Sequence, residues 1–178
     1  MMLLKKIVIL IFISLTYSLA LVQVTFAAAI DFSLEDLQGK THTAKQYRGK
    51  WLVVNYWGTF CGPCIKEMPE LSKFHNERKD DDAVVLGINQ EEIPAKLLVN
   101  FTRNLKVSFP SLKVPFEQVT PFGRVTVLPT TFIVNPQGEL VARQAGAISL
   151  EALENYIERK KQQVLQEKFK KDRGLDKS

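Results

Sequence analysis

Sulfur and imidazole are scarce in this chain: its 178 residues include two cysteines and two histidines. That count excludes a secreted disulfide scaffold, which needs several bridges to staple a small core. It also argues against a zinc site, because Cys61, Cys64, His42 and His75 fit no common ligand spacing. Both histidines are expected to be surface or satisfied polar residues. No internal repeat and no low-complexity tract is present, so the chain does not read as a solenoid or a disordered linker. A basic face is lacking too. The net charge is +5, but the excess sits in Lys5 and Lys6 and in the last twenty residues, Arg159 to Lys177, while the middle is close to neutral. A nucleic acid is therefore not an expected partner, and the C-terminal run reads as a solvated tail.

What is present is an ordinary globular balance, 46% hydrophobic and 24% charged. It is enough for one core domain with additions. Lys5 and Lys6 precede an uncharged run from Ile7 to Ile30. "VTFAAAI" places small residues where a signal peptidase cleaves, after Ala27 or after Ala29. The run also exceeds the roughly 20 apolar residues of a spanning helix, so a retained anchor over residues 7–29 stays open. Either way the lysines favour an inside N-terminus and an exported remainder. No cysteine follows the run closely, which excludes a lipoprotein anchor. The expected division is a signal peptide or membrane anchor over 1–29, a domain over 30–168 and a charged, frayed tail over 169–178.

Export puts the cysteines in an oxidising compartment, where a structural disulfide is common. A bridge between Cys61 and Cys64 closes a very short loop, though, and constrains the unfolded chain little. The spacing suits chemistry better than stapling.

The pattern along the chain predicts two short strands with a turn at Gln38-Gly39, then a helical turn near Ala44–Tyr47. "WLVVNYW" reads as a buried strand, and a helix follows the cysteines to about Lys79. "AVVLGIN" is a second buried strand, "EEIPAKLLVNFTRNL" a helix with Pro94 in its first turn, and "FPSLK" a short strand. "TFIVNPQGELVARQ" is a hairpin turning at Asn135–Gly138. A last amphipathic helix starts at Ser149 as N-cap. The order ββ, βαβαβ, ββα implies a central sheet with helices on both faces, and the right-handed crossover rule sets Trp51–Tyr56 parallel to Ala83–Ile88.

Cys61 follows a buried strand and opens a helix, where free amides and the helix dipole stabilise a thiolate. It is the expected nucleophile. Cys64 lies one turn deeper and is the expected resolving thiol. Gly62 and Pro63 permit the tight turn between them, and Pro63 costs no hydrogen bond in a first helical turn. Pro69 removes an amide inside the helix.

"WGTFCGPCIKEMPEL" together with "LPTTFIV" resembles the thioredoxin superfamily, and more closely its exported TlpA/ResA-like, or DsbE-like, thiol-disulfide oxidoreductases. The similarity covers about Asp31 to Lys160. It implies an α/β thioredoxin fold: a central mixed β-sheet flanked by helices, with an added N-terminal β-hairpin and an insertion before the cis-proline loop. It implies disulfide exchange with a disulfide-containing client protein, a membrane electron donor of the DsbD/CcdA type, a monomer and no cofactor. Carried over by residue, Pro129 matches the family's cis-proline and Leu128 offers backbone to an extended client. Trp57 matches the aromatic flank, with core packing as its alternative role. Where cytoplasmic thioredoxins carry a buried Asp, six residues before the first cysteine, this chain has Asn55. Glu67 matches the ResA-like glutamate and would take the proton of Cys64 instead; the alternative is a solvated helix glutamate.

Gly62-Pro63 supplies no cation to over-stabilise the Cys61 thiolate, so the pair is expected to be a reductant. The resemblance implies reduction of specific disulfides in the periplasm or at the outer face of the cytoplasmic membrane, cytochrome c maturation among them. A peroxiredoxin would need a Pro-x-x-x-Thr-x-x-Cys loop that "YWGTFCGPC" lacks. A copper chaperone on this fold uses cysteines four apart and a distal histidine. A tethered interaction domain with an inert disulfide is the third rival.

Overall fold

A computed structural model describes residues 29–174. The apolar run and its cleavage sites lie outside the described residues, apart from Ala29 and Ile30. No helix among the described residues is long and apolar enough to cross a membrane.

Two sheets form. β1 (Ser33–Glu35) and β2 (Thr41–Thr43) make an antiparallel hairpin, followed by a 3-10 turn at Ala44–Tyr47. The main sheet has the order β5-β4-β3-β6-β7, with β3 at Trp51–Trp57, β4 at Ala83–Asn89, β5 at Ser111–Lys113, β6 at Thr130–Val134 and β7 at Leu140–Ala145. β3 pairs parallel with β4 and antiparallel with β6. "WLVVNYW" and "AVVLGIN" are buried at every position. Both faces of these strands are covered, which is why they read as continuous apolar runs rather than alternating ones. The hairpin docks on the β5 edge through an Asp36–Leu112 bridge and a Leu37 N–H donated to Ser111 O.

Helices α1 (Gly62–Arg78), α2 (Ala95–Asn104) and α3 (Leu150–Asp172) complete the fold. The expectation of helices on both faces does not hold for the α-helices. One core face unites Val53, Trp57, Val85 and Ile133 with Met68, Leu71 and Phe74 of α1, Leu98 of α2, and Leu153 and Ile157 of α3. The physical reason is topological. The chain steps from β3 to β4 to β5 in one direction across the sheet, and two right-handed crossovers in the same direction put both helices on the same side. The opposite face, with Leu52, Val54, Leu86, Ile88 and Phe132, is covered by Phe32, Ala44 and the Val114–Val125 stretch of the insertion. A hydrogen bond between the Tyr56 and Thr120 hydroxyls ties that stretch to β3.

Two boundaries differ from the sequence reading. Glu91–Pro94 is not helical, because Pro94 is the N-cap rather than an inner residue. α3 continues past Phe169 to Asp172, since nothing after Phe169 breaks a helix of Lys, Glu and Gln. Ser149 Oγ caps α3 by accepting from Ala152 N at 3.2 Å.

Candidate active site

The end of β3 and the start of α1 place the cysteines. Cys61 is the N-cap of α1, and Pro63 stands in its first turn. The pair is joined as the Cys61–Cys64 disulfide, with Cys61 Sγ accepting from Cys64 N at 3.3 Å. Cys64 is completely buried. Cys61 lines an open groove of about 930 Å³, and Cys64 does not. The two sulfurs thus differ in access: Cys61 borders the groove and Cys64 lies sealed beneath it.

The groove is walled by Gly62 and Pro63, by Ile93 and Phe116, and by Leu128, with Trp57 in its floor. The Leu128–Pro129 bond is cis. Trp57 is 1% exposed and stacks on Phe101, ring centres 5.8 Å apart, so its visible role is packing beneath the groove. Phe60, 76% exposed, is the most prominent apolar side chain on the rim.

Glu67 is buried, at 4% exposure, so it is not a solvated helix residue. Its Oε1 accepts from Asn55 Nδ2 at 2.8 Å and its Oε2 from Ile148 N at 2.9 Å. Burial raises its pKa above the usual glutamate value; the two hydrogen bonds pull it back in part, and the Glu70 charge pushes it up further. Glu67 stands one turn after Cys64 on the buried side of α1. Asn55 is fully buried and also donates to Thr131 Oγ1 at 3.1 Å, while its Oδ1 has no partner among the described residues. The sequence reading treated Asn55 as a missing acid and Glu67 as its replacement; the two are hydrogen-bonded parts of one site.

A second polar cluster escaped the sequence reading. Glu91, just past β4, accepts from Thr59 N, Thr59 Oγ1 and Asn89 Nδ2. The available signal was its place at the carboxyl end of a parallel strand, where α/β sheets build their sites. The histidines are engaged elsewhere. His42 bridges Tyr47 Oη at 2.5 Å and Asp36 Oδ2 at 2.9 Å, and His75 Nδ1 accepts from Val85 N at 3.1 Å.

Residues 26–143 match the AhpC/TSA family. The chain is 32% identical over 130 residues to the thiol-disulfide oxidoreductase ResA of Halalkalibacterium halodurans, covering 73% of each. Among solved structures, a DsbF homologue from Corynebacterium diphtheriae superposes with a TM-score of 0.68 at 26% identity, over 77% of this chain and 88% of that one. A putative thiol:disulfide interchange protein DsbE from Chlorobium tepidum gives 0.64 at 25% identity, over 72% and 92%. With a Cys-Gly-Pro-Cys pair at a strand–helix junction beside a cis-proline, the chain belongs to the AhpC/TSA family of thioredoxin-fold proteins, among the thiol-disulfide oxidoreductases of ResA type.

Proposed function

We propose that this protein reduces disulfides of client proteins outside the cytoplasm. The observation that carries the reading is the division of the pair: Cys61 opens onto an apolar groove at a helix N-terminus, while Cys64 is buried one turn before a buried carboxylate.

The Cys61 thiolate attacks one sulfur of the client disulfide. A mixed disulfide forms and the first client sulfur leaves as a thiolate, which takes a proton from solvent. Glu67 accepts the proton of Cys64. The Cys64 thiolate then attacks Cys61 Sγ, the Cys61–Cys64 bond forms, and the second client sulfur departs. Two electrons pass from the pair to the client. A protonated Glu67 becomes a donor, and a turn of the Asn55 amide would offer it the unpartnered Oδ1. Leu128, whose backbone N–H and C=O make no hydrogen bond among the described residues, is available to pair with an extended client strand. Gly62 and Pro63 supply the exposed turn over which the client approaches, Leu128 lines the same groove, and Pro129 would set the path of the chain at Leu128.

The domain spans 30–168. Residues 1–29 direct it across the membrane or hold it there, and 169–178 form a charged extension. A membrane thiol donor of the DsbD/CcdA type would re-reduce the pair, and cytochrome c maturation is one setting that needs such a reductant. The test is trapping. Cys64→Ser should accumulate a mixed disulfide between Cys61 and insulin, and Cys61→Ser should accumulate none. Turnover of insulin by the Cys61→Ser variant would overturn the reading.

A further inference from the structure

The loop that carries Cys61 is held from the neighbouring strand. Thr59 stands two residues before Cys61. Its N–H donates to Glu91 Oε2 at 2.7 Å and its hydroxyl to Glu91 Oε1 at 2.6 Å. Asn89 Nδ2 donates to the same Oε2 at 2.6 Å, and Asn89 Oδ1 accepts from Glu91 N at 2.9 Å. Asn89 is fully buried and its amide also reaches Trp57 O at 3.3 Å, so the clamp is anchored in the sheet.

The held loop shapes the client-facing surface. The face of Gly58 where a Cβ would stand is closed on by Leu128 Cδ1 and by the Phe60 ring, both 3.2 Å from that point. Gly58 O accepts from Cys61 N at 3.2 Å. Moving Thr59 therefore moves the exposed Phe60, which shares the Gly58 face with Leu128, and the approach to Cys61.

We propose that Glu91 is a positioning residue for disulfide exchange, fixing the Gly58–Thr59–Phe60 loop so that the groove presents a ready-made surface to a protein client. The inference rests on the reading of Cys61 and Cys64 as the exchanging pair. The chemistry selects a side chain with an acceptor oxygen at this reach. Two donors, Thr59 N and Asn89 Nδ2, converge on Oε2 and the Thr59 hydroxyl meets Oε1; a glutamine can keep this only by donating its NH2 to a turned Thr59 hydroxyl, and an alanine keeps none of it. An aspartate is one methylene too short.

The experiment compares single-turnover oxidation of the reduced protein by insulin and by hydroxyethyl disulfide, which is too small to use the rim. In Glu91→Ala the rate with insulin should fall about tenfold or more, as expected when a docked protein substrate is misplaced by a fraction of an ångström to an ångström, while Glu91→Gln, which can keep the clamp through a turned Thr59 hydroxyl, should stay within about twofold of wild type. The rate with hydroxyethyl disulfide should stay within about twofold. Thr59→Val, which keeps the backbone donor and loses the hydroxyl, should lie between wild type and Glu91→Ala and guards against a Glu91 variant that does not fold. Two results would overturn the proposal: insulin rates unchanged in Glu91→Ala and Thr59→Val, or both rates falling together in step with the melting temperature. A wild type inert towards both disulfides would instead overturn the reading of the pair.

Discussion

Glu67 holds a carboxyl group largely out of solvent, 4% exposed and bonded to Asn55 and to the Ile148 amide. Burial favours its neutral form, so its share of stability is present below the usual glutamate pKa and is lost as pH rises through the raised one. A group poised in this way can take the Cys64 proton and return it. Glu67→Gln should slow release of the client from the mixed disulfide by about a hundredfold at neutral pH, the lower end of what a positioned acid–base group contributes. Its pH profile should follow the Cys64 thiol alone. Stopped-flow measurement of client release across the acid-to-neutral range checks this, and an unchanged profile would leave Glu67 a structural role only. His75 titrates in the opposite sense. Its Nδ1 accepts from Val85 N, and burial lowers its pKa from 6.5 to about 4, with the Lys79 charge adding to the shift. The neutral ring is the folded form. Its stabilisation is complete above pH 6.5 and is lost as pH falls towards about 4. Thermal melts should show wild type losing stability across that window more steeply than His75→Leu, which starts lower because Val85 N is left without its acceptor.

At the scale of elements, β4 shows how tightly the floor of the site is packed. A Cβ on Gly87 would meet Trp57 Nε1 at 2.9 Å, Phe109 Cε2 at 3.0 Å and Ser111 Oγ at 3.2 Å. None of these three side chains lies on the surface. Gly87→Ala should therefore cost about 1–3 kcal/mol, the usual penalty of overpacking a filled core. Chemical denaturation checks it, and a variant as stable as wild type would mean that the floor has slack. The strands around Gly87 were legible because continuous β-branched and aromatic runs have few other uses. The CxxC position and Ser149 as a cap were legible because local chemistry dictates them. The side of the sheet taken by α2 was not, since it depends on the order in which strands join, and no local pattern in "EEIPAKLLVNF" encodes that. The Thr59–Glu91 clamp was illegible for a related reason. Its partners are 32 residues apart and meet only because β3 and β4 run side by side. Asn55 was visible as a departure from a pattern, while its bond to Glu67 needed the fold.

The whole molecule has a basic chain, an apolar groove bordered by the Cys61 sulfur and a second sulfur, that of Cys64, sealed in the core. The groove lining contains Glu91 and Glu92 and no lysine or arginine. The residues between the cysteines, Gly62 and Pro63, add no cation either. Nothing in this surrounding over-stabilises the Cys61 thiolate relative to the disulfide, and that is the condition for a pair that gives electrons rather than takes them. The helix dipole alone leaves a thioredoxin-like balance. The central claim is direction, and the reduction potential of Cys61–Cys64, from equilibration with a graded thiol–disulfide series, tests it most directly. The account predicts a value near the roughly −270 mV of thioredoxin; a value above about −150 mV, close to a strong oxidase, would contradict it.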